Sequence, residues 1–400
     1  MSRRRSAVNH EVMHEINRAL VLSSLRENPS QTRAKLSSRT GLTRSAISNL
    51  TDELIQNDMI HEVGYEESTG GRRGILLELN PQGAGVIAIK FNASSVQCAL
   101  ANLAGEIDWY KLVPIGSTEE SYVLGICRQL IRSALQINGG GRPLLGIGVA
   151  SPGLIGEDGE VIYSKFMDWR HVNFRAEWED EFAVPVSVDN LVSLAALGEN
   201  HYGPAAEDSH FMYIEIGYGV GAGIVINSQL YQGKYGFAGE VGYMNYLEEN
   251  GTGHAKTRNW QSMVNIPRFI QITKQRFETN PQTVLDSQGL NFSRLLEALH
   301  ADDEAPRAAM SELSRNLGFG LASLYNAFDI PVFVLGGELG REFGPFLGEA
   351  RAELERHLVV MPPCRIDLRI SRLQPDAALL GAVARVFDII LVEPSLNLGL

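Results

Sequence analysis

No run of about eighteen apolar residues occurs in this 400-residue chain, so the sequence offers no membrane-spanning helix. The N-terminus, MSRRRSAVNHEVMHEINRAL, is basic but lacks the apolar segment of a secretory signal. Cysteine is scarce: Cys98, Cys127 and Cys364 are far apart and odd in number. They give no disulfide framework and suit reduced thiols in a cytoplasm. Short-period repeats and low-complexity tracts are also missing. What remains is a chain with 44% hydrophobic residues, enough for substantial cores, and too long for one ordinary domain.

Acidic residues are scarce at one end only. Residues 1–50 hold nine Lys/Arg against three Asp/Glu, a local balance of +6, so the rest carries −18 of the net −12. A basic head on an acidic body suggests that the head alone meets a polyanion. A solvated helix that happens to be basic is the plain alternative.

The head has more than charge. In residues 10–27 the spacing puts Met13, Ile16, Leu20 and Val21 on one helical face, and Asn28-Pro29 ends that helix. Ser30 is positioned to cap the next, where Ala34 and Leu36 begin the core side. Gly41 suits the left-handed residue of a tight turn, and Thr43 suits the N-cap of a third helix. On that helix Ile47, Leu50 and Leu54 point inward, leaving Arg44, Ser45, Ser48 and Asn49 outward near its N-terminal end. This is the pattern of a helix-turn-helix whose second helix enters the major groove. IHEVGYEESTGGRRGILLELN then reads as two strands around a loop with Arg72 and Arg73 at its tip, a basic wing suited to phosphates or a narrow minor groove. A three-helix protein-interaction domain is the competing reading.

After a hinge-like Pro81–Gly85, apolar strands alternate with helices, which implies an α/β body. GVIAIKFNASSVQCALANLAGEI reads as two strands and a turn, LLGIGVASPGLI as a strand ending in a Gly/Pro loop, and VFVLGGEL as a strand entering paired glycines. DAALLGAVARVFDIILV reads as a C-terminal helix.

Pro152-Gly153, DNLVSLAALGE, IGYGVGAGIVINSQLYQGKYGFAGEVGY, Gly336-Gly337 and DAALLGA together resemble the ROK family of sugar repressors and sugar kinases. The resemblance covers nearly the whole chain, including the winged-helix head of the repressor branch. It implies an α/β, two-lobed actin-like (ribonuclease H-like) body with a ligand cleft between its lobes. The boundaries expected are 1–80 for the head, 81–85 for a linker and 86–400 for the body. One lobe takes about 86–200 plus the C-terminal helix at 376–392, the other about 206–375.

Against that family pattern, chemistry is missing. The kinases open with a glycine-bearing hairpin that approaches ATP phosphates; here IKFNASS stands there, and no glycine lies between Gly85 and Gly105. Aligned on AALGE, the catalytic aspartate falls on Leu191, with Asn190 on the family asparagine and Asp189 on its glutamate. A one-residue slip would make Asp189 the base, but the AALGE register leaves no gap. Tyr218 stands for a small threonine. The family's zinc loop is replaced by Tyr243 and a cysteine-free stretch to Trp260, so we expect no metal and no other cofactor.

The resemblance implies that Asn190 and Glu240 bind sugar hydroxyls, with Asp189 and the Pro152-Gly153 turn beside them. Alternatively, Glu240 caps a helix and Asn190 stabilises a turn. Lys165 stands for a ligand-contacting asparagine and Tyr243 for a histidine, which hints at an acidic or modified sugar unless Lys165 points to solvent. The expected protein is a cytoplasmic, sugar-responsive repressor without enzymatic activity. Its partners are double-stranded operator DNA, a small sugar and further copies of itself, as a homodimer or homotetramer. A sugar kinase with a DNA-binding head is the main alternative, and a constitutive DNA binder whose body only oligomerises is a third.

Overall fold

The computed structural model describes residues 2–67, 73–249, 255–279, 291–360 and 365–392. These fall into two units: residues 1–194 with 378–400, and residues 195–377.

The first unit begins with the head. It contains α1 (Ser2–Glu27), β1 (Gln31–Thr32), α2 (Arg33–Thr40), α3 (Arg44–Gln56), β2 (Ile60–Tyr65) and β3 (Ile75–Leu79). The strands form one sheet in the order β1-β3-β2, the wing hairpin being its antiparallel part. Three details of the sequence reading are corrected. The buried side of α1 carries Val21, Leu22 and Leu25, whereas Met13 and Leu20 are 55% and 41% exposed. Apolar residues lie on more than one side of this helix, and packing against α2 and α3 selects the second stripe. Ala34 is exposed, leaving Leu36 as the core residue of α2. The N-cap of α2 is Thr32, which accepts from Lys35 N at 3.3 Å. Ser30 instead takes a positive φ and donates to Glu78.

Pro81–Gly85 is held at several points. Leu103 N donates to Pro81 O at 3.1 Å, Arg142 donates to Gln82 Oε1 at 3.2 Å, and Gly83 to Gly85 are buried. A Cβ on Gly83 would lie 2.4 Å from Asp58 O, so the chain can pass this close to the head only as glycine.

The body of the first unit runs β4 (Gly85–Phe91), β5 (Ser95–Asn102), β6 (Ile107–Pro114), α4 (Glu120–Asn138), β7 (Leu144–Ser151), β8 (Leu154–Ile155), β9 (Val161–Ser164), β10 (Trp169–Val172), α5 (Arg175–Phe182), β11 (Val186–Asn190) and the first turn of α6 (Leu191–Tyr202), which continues into the second unit from Ala195. Its sheet has the order β11-β7-β4-β5-β6. Strands β4 and β5 are buried along their whole length and β7 from Leu145 on; β4 and β7 are largely apolar, whereas β5 also buries Ser95, Gln97 and Asn102. One face packs a core of Ile89, Val96, Cys127, Ile131, Trp169, Phe174 and Trp178. At the other face β7 presents glycines to the C-terminal helix: a Cβ on Gly148 would lie 2.4 Å from Ala382 O.

The second unit contains β12 (His210–Ile216), β13 (Val220–Ile226), β14 (Gln229–Leu230), β15 (Asn245–Glu249), β16 (Ala255–Asn259), α7 (Gln261–Val264), α8 (Ile266–Thr279), α9 (Phe292–His300), α10 (Glu304–Phe328), β17 (Val332–Gly336), α11 (Leu347–Arg356) and β18 (Asp367–Ile370). The chain then returns to the first unit in α12 (Ala377–Val392). The sheet order β14-β13-β12-β17-β18 repeats the plan of the first unit: three antiparallel strands, then two parallel ones. Two copies of that plan are the actin-like architecture the resemblance implies. Trp260 anchors the helical layer, lying against Gly320 of α10 and donating to Asn316 O at 3.0 Å.

Candidate functional site

In the head, α3 is fixed by its ends and its inner face. Gly41 takes φ +72° and caps α2; Thr43 caps α3, accepting from Ala46 N at 3.3 Å. Ile47, Leu50 and Leu54 are buried, as is Thr51, whose hydroxyl bonds back to Ile47 O at 2.8 Å and accepts from Arg33 Nε at 2.9 Å. This leaves Thr43, Arg44, Ser45 and Asn49 exposed and Ser48 half-buried. Arg33 pairs with Asp52 and Glu62, and Lys35 with Glu66 at 2.6 Å, so these two cations are balanced within the head. Arg44 and Arg73 are exposed at α3 and at the wing; Arg72 and the Gly70-Gly71 tip lie outside the described residues.

In the first unit's body, Asn190 ends β11 and does two jobs. Its Oδ1 accepts from Val192 N at 2.8 Å and Ser193 N at 3.1 Å, capping α6. Its Nδ2 donates to Gly153 O at 2.8 Å. The turn-stabilising reading is therefore met, and one Nδ2 proton is left to offer. Gly153, at φ +111°, brings its loop against β9: a Cβ there would lie 2.8 Å from Ser164 Cα. Gly153, Asn190 and Ser164 are thus gathered, with exposed Lys165 following Ser164 in the next turn. Asp189 is held differently. Its Oδ2 accepts from Ser187 Oγ at 3.1 Å and from Arg385 Nε of α12 at 3.3 Å. Leu191 opens α6, where it supplies no proton acceptor.

The β4–β5 hairpin is present, but its tip is closed on itself. Asn92 Oδ1 accepts from Ser94 N and Ser95 N, both at 2.9 Å. A phosphate cradle needs such amides unoccupied and pointing outward.

In the second unit, Glu240 precedes a short 3-10 turn, Val241–Tyr243, and makes no side-chain cap bond. The helix-capping alternative is not met. Gly239 sets its place: at φ +97° it lies against β13, where a Cβ would come within 1.8 Å of Ala222 O. Glu240 reaches solvent, yet crowding by neighbouring atoms desolvates its carboxyl and raises its pKa. It has no hydrogen bond or ion pair among the described residues, so both oxygens can accept. Tyr243 is exposed. Elsewhere in the unit Glu199, the last residue of AALGE, is fully buried with a raised pKa from desolvation; it accepts from Ser371 Oγ while its Oε2 has no partner.

Three residues escaped the sequence reading. Arg385 and Asp388 are the sole charges in α12, and a cation in so apolar a helix requires a partner; that was a usable signal. Ser164 carries a buried hydroxyl without a partner, and nothing in its neighbours announced that. Among the described residues no cluster of His, Cys, Asp or Glu can hold a metal; part of the cysteine-free stretch before Trp260, residues 250–254, lies outside them. No helix among them is long and apolar enough to cross a membrane.

A two-lobed kinase-like body joined to a winged-helix head defines the class. A model of the ROK family matches residues 86–388, and the chain belongs to that family. A xylose repressor of Caldicellulosiruptor bescii is 30% identical over 96% of this chain and 99% of its own length. A glucokinase of Halalkalibacterium halodurans is 28% identical over 60% of this chain and 74% of its own. The crystal structure of a ROK family transcriptional regulator, a homologue of the E. coli MLC protein, superposes with a TM-score of 0.80, at 21% identity, covering 95% of this chain and 98% of that one.

Proposed function

We propose that this protein is a DNA-binding transcriptional repressor whose hold on DNA is altered by a sugar, and that it catalyses no reaction. The observation that carries the reading is the outer face of α3. A capped helix with Thr43, Arg44, Ser45, Ser48 and Asn49 at its outer N-terminal turns suits a major groove, Arg44 offering a bidentate donor to guanine. Arg73, with Arg72 before it in sequence, suits backbone phosphates. The relative matching along nearly the full chain, named a xylose repressor, supports the same conclusion.

Sugar recognition is assigned to Asn190, Asp189 and the Pro152-Gly153 turn on the first unit and to Glu240 and Tyr243 on the second. Glu240 supports this most directly, because an unpartnered, desolvated carboxylate is a strong acceptor for hydroxyls. The relative's name makes D-xylose the first sugar to test; Lys165, exposed, adds sugar acids to the panel. The loss of catalysis rests on Leu191 and on the Asn92-filled hairpin. A twofold assembly of identical chains fits a palindromic operator.

The test is a titration of DNA from upstream of the protein's own gene, with and without D-xylose and each sugar acid. Specific retention that a sugar weakens is expected. Equal affinity for that DNA and for random DNA would sink the repressor reading. ATP turnover with any hexose or pentose would favour the kinase alternative suggested by the glucokinase relative.

A further inference from the structure

We infer that α12 couples the sugar-binding residues to the DNA-binding head, with Arg385 positioning Asp189 and Arg26 latching α1 onto the following turn of α12. The inference rests on the repressor reading above. Its parts all lie in the first unit. Arg385 Nε donates to Asp189 Oδ2 at 3.3 Å, next to Asn190 in sequence. One turn further along the helix, the Arg26 guanidinium lies 4.9 Å from the centroid of the Phe387 ring. The same group is 3.8 Å from Asp388 Oδ1. The side chain of Arg26 is only 13% exposed, and Phe387 is fully buried. Both charges of α12 are thus spent on its two ends of this link, one toward the sugar-binding residues and one toward the head.

The head side of the link is equally firm. Gln31 Nε2 donates to Ser24 O at 2.6 Å, before Arg26 in α1, and to Asn28 O at 2.8 Å, just past the helix end. The next residue, Thr32, caps α2. A displacement of Arg26 therefore reaches α2, whose turn at Gly41 leads directly into α3. On the body side, α12 is seated on Gly146 and Gly148 of β7: a Cβ on Gly148 would lie 2.4 Å from Ala382 O, and one on Gly146 would lie 3.0 Å from Val386 Cγ1. A helix seated so closely shifts as a unit rather than bending locally. A sugar hydroxyl donating to Asp189 competes with Arg385 for the same carboxylate. Loosening Arg385 then changes the seat of the turn that holds Arg26.

Hydrogen exchange on the full-length protein, without DNA or sugar, tests the link itself. Arg385→Met is expected to raise deuterium uptake around residues 20–27 by ~5-fold, the low end of usual couplings. Arg385→Lys, which keeps a donor for Asp189, is expected to restore most of the protection. Unchanged uptake in Arg385→Met would overturn the inference. A second arm uses D-xylose and the upstream DNA. Arg26→Met should keep xylose affinity within about 2-fold while shrinking the xylose-driven loss of DNA affinity by ~5-fold or more. The charge-swapped pair Arg26→Asp with Asp388→Arg controls for misfolding by restoring the ion pair. An undiminished xylose response in well-folded Arg26→Met also refutes the latch. If xylose leaves wild-type DNA binding unchanged, the choice of xylose as effector fails, and the exchange arm decides the latch alone.

Discussion

Glu240, proposed above as a sugar ligand, carries a cost to the fold. Crowding raises its pKa, so ionising it costs more in the folded chain than in the unfolded one. Stability tied to this group is therefore fully present below the ordinary glutamate pKa and lost as pH rises through the folded value. Glu240→Gln is expected to melt higher than wild type at pH 7, with the gap closing toward pH 4; a gap that widens on acidification contradicts the assignment. The same variant gives up a charged acceptor, and hydrogen bonds to charged groups contribute about 1.5–3 kcal/mol. Calorimetry should show sugar affinity falling at least ~10-fold while DNA affinity holds. The role proposed for the residue comes only through resemblance, because no local pattern marks a carboxylate as unpartnered. Asp189 was harder still: its partner Arg385 is 196 positions away. The carboxylate nominated as a base under a one-residue slip is instead bound to a guanidinium.

At the level of elements, the turn between α2 and α3 was readable because its chemistry is local. Gly41 and Thr43 do what their residue types predict. Thr43→Ala should cost about 1 kcal/mol by leaving Ala46 N unpaired, seen as a lower melting point of the head. Arg44→Ala should cost about 1–3 kcal/mol in discrimination between operator and mutated sites, without abolishing retention on DNA. Arg73→Ala should instead lower the slope of log affinity against log salt by about 0.9 and leave sequence preference alone. An unaltered salt slope would remove Arg73 from the phosphate contacts. Helix α1 was misread for the opposite reason. Its sequence offers two apolar stripes, and only the tertiary neighbours of Leu22 and Leu25 decide which is buried. Likewise Pro81–Gly85 looked like a hinge because glycine and proline usually mark one, yet here glycine serves close packing against Asp58 and Met59.

For the molecule as a whole, the proposed absence of catalysis rests on more than one departure from the kinase pattern. The α/β character was visible in the alternation of strands and helices, the two-lobed plan only through the resemblance, and the departures from the kinase pattern as residue types: Leu191 for aspartate, no glycine in the first hairpin. What the sequence did not disclose is that the hairpin has been refilled. Asn92 occupies the amides of Ser94 and Ser95, so the cradle is satisfied internally rather than left open for an anion. On the proposed reading these are two separate departures, which a single substitution cannot repair together. A positioned base contributes about 10²–10⁴ in rate, and the phosphates must still be held for that factor to act. We therefore expect Leu191→Asp to produce no sugar phosphate from Mg-ATP with xylose or glucose. Adding Asn92→Gly should free the tip amides and is the variant in which weak ATP-dependent turnover or ATP-induced thermal stabilisation would first appear. Turnover by Leu191→Asp alone would mean that the base is the only missing part, and that the bonds made by Asn92 yield readily to a phosphate.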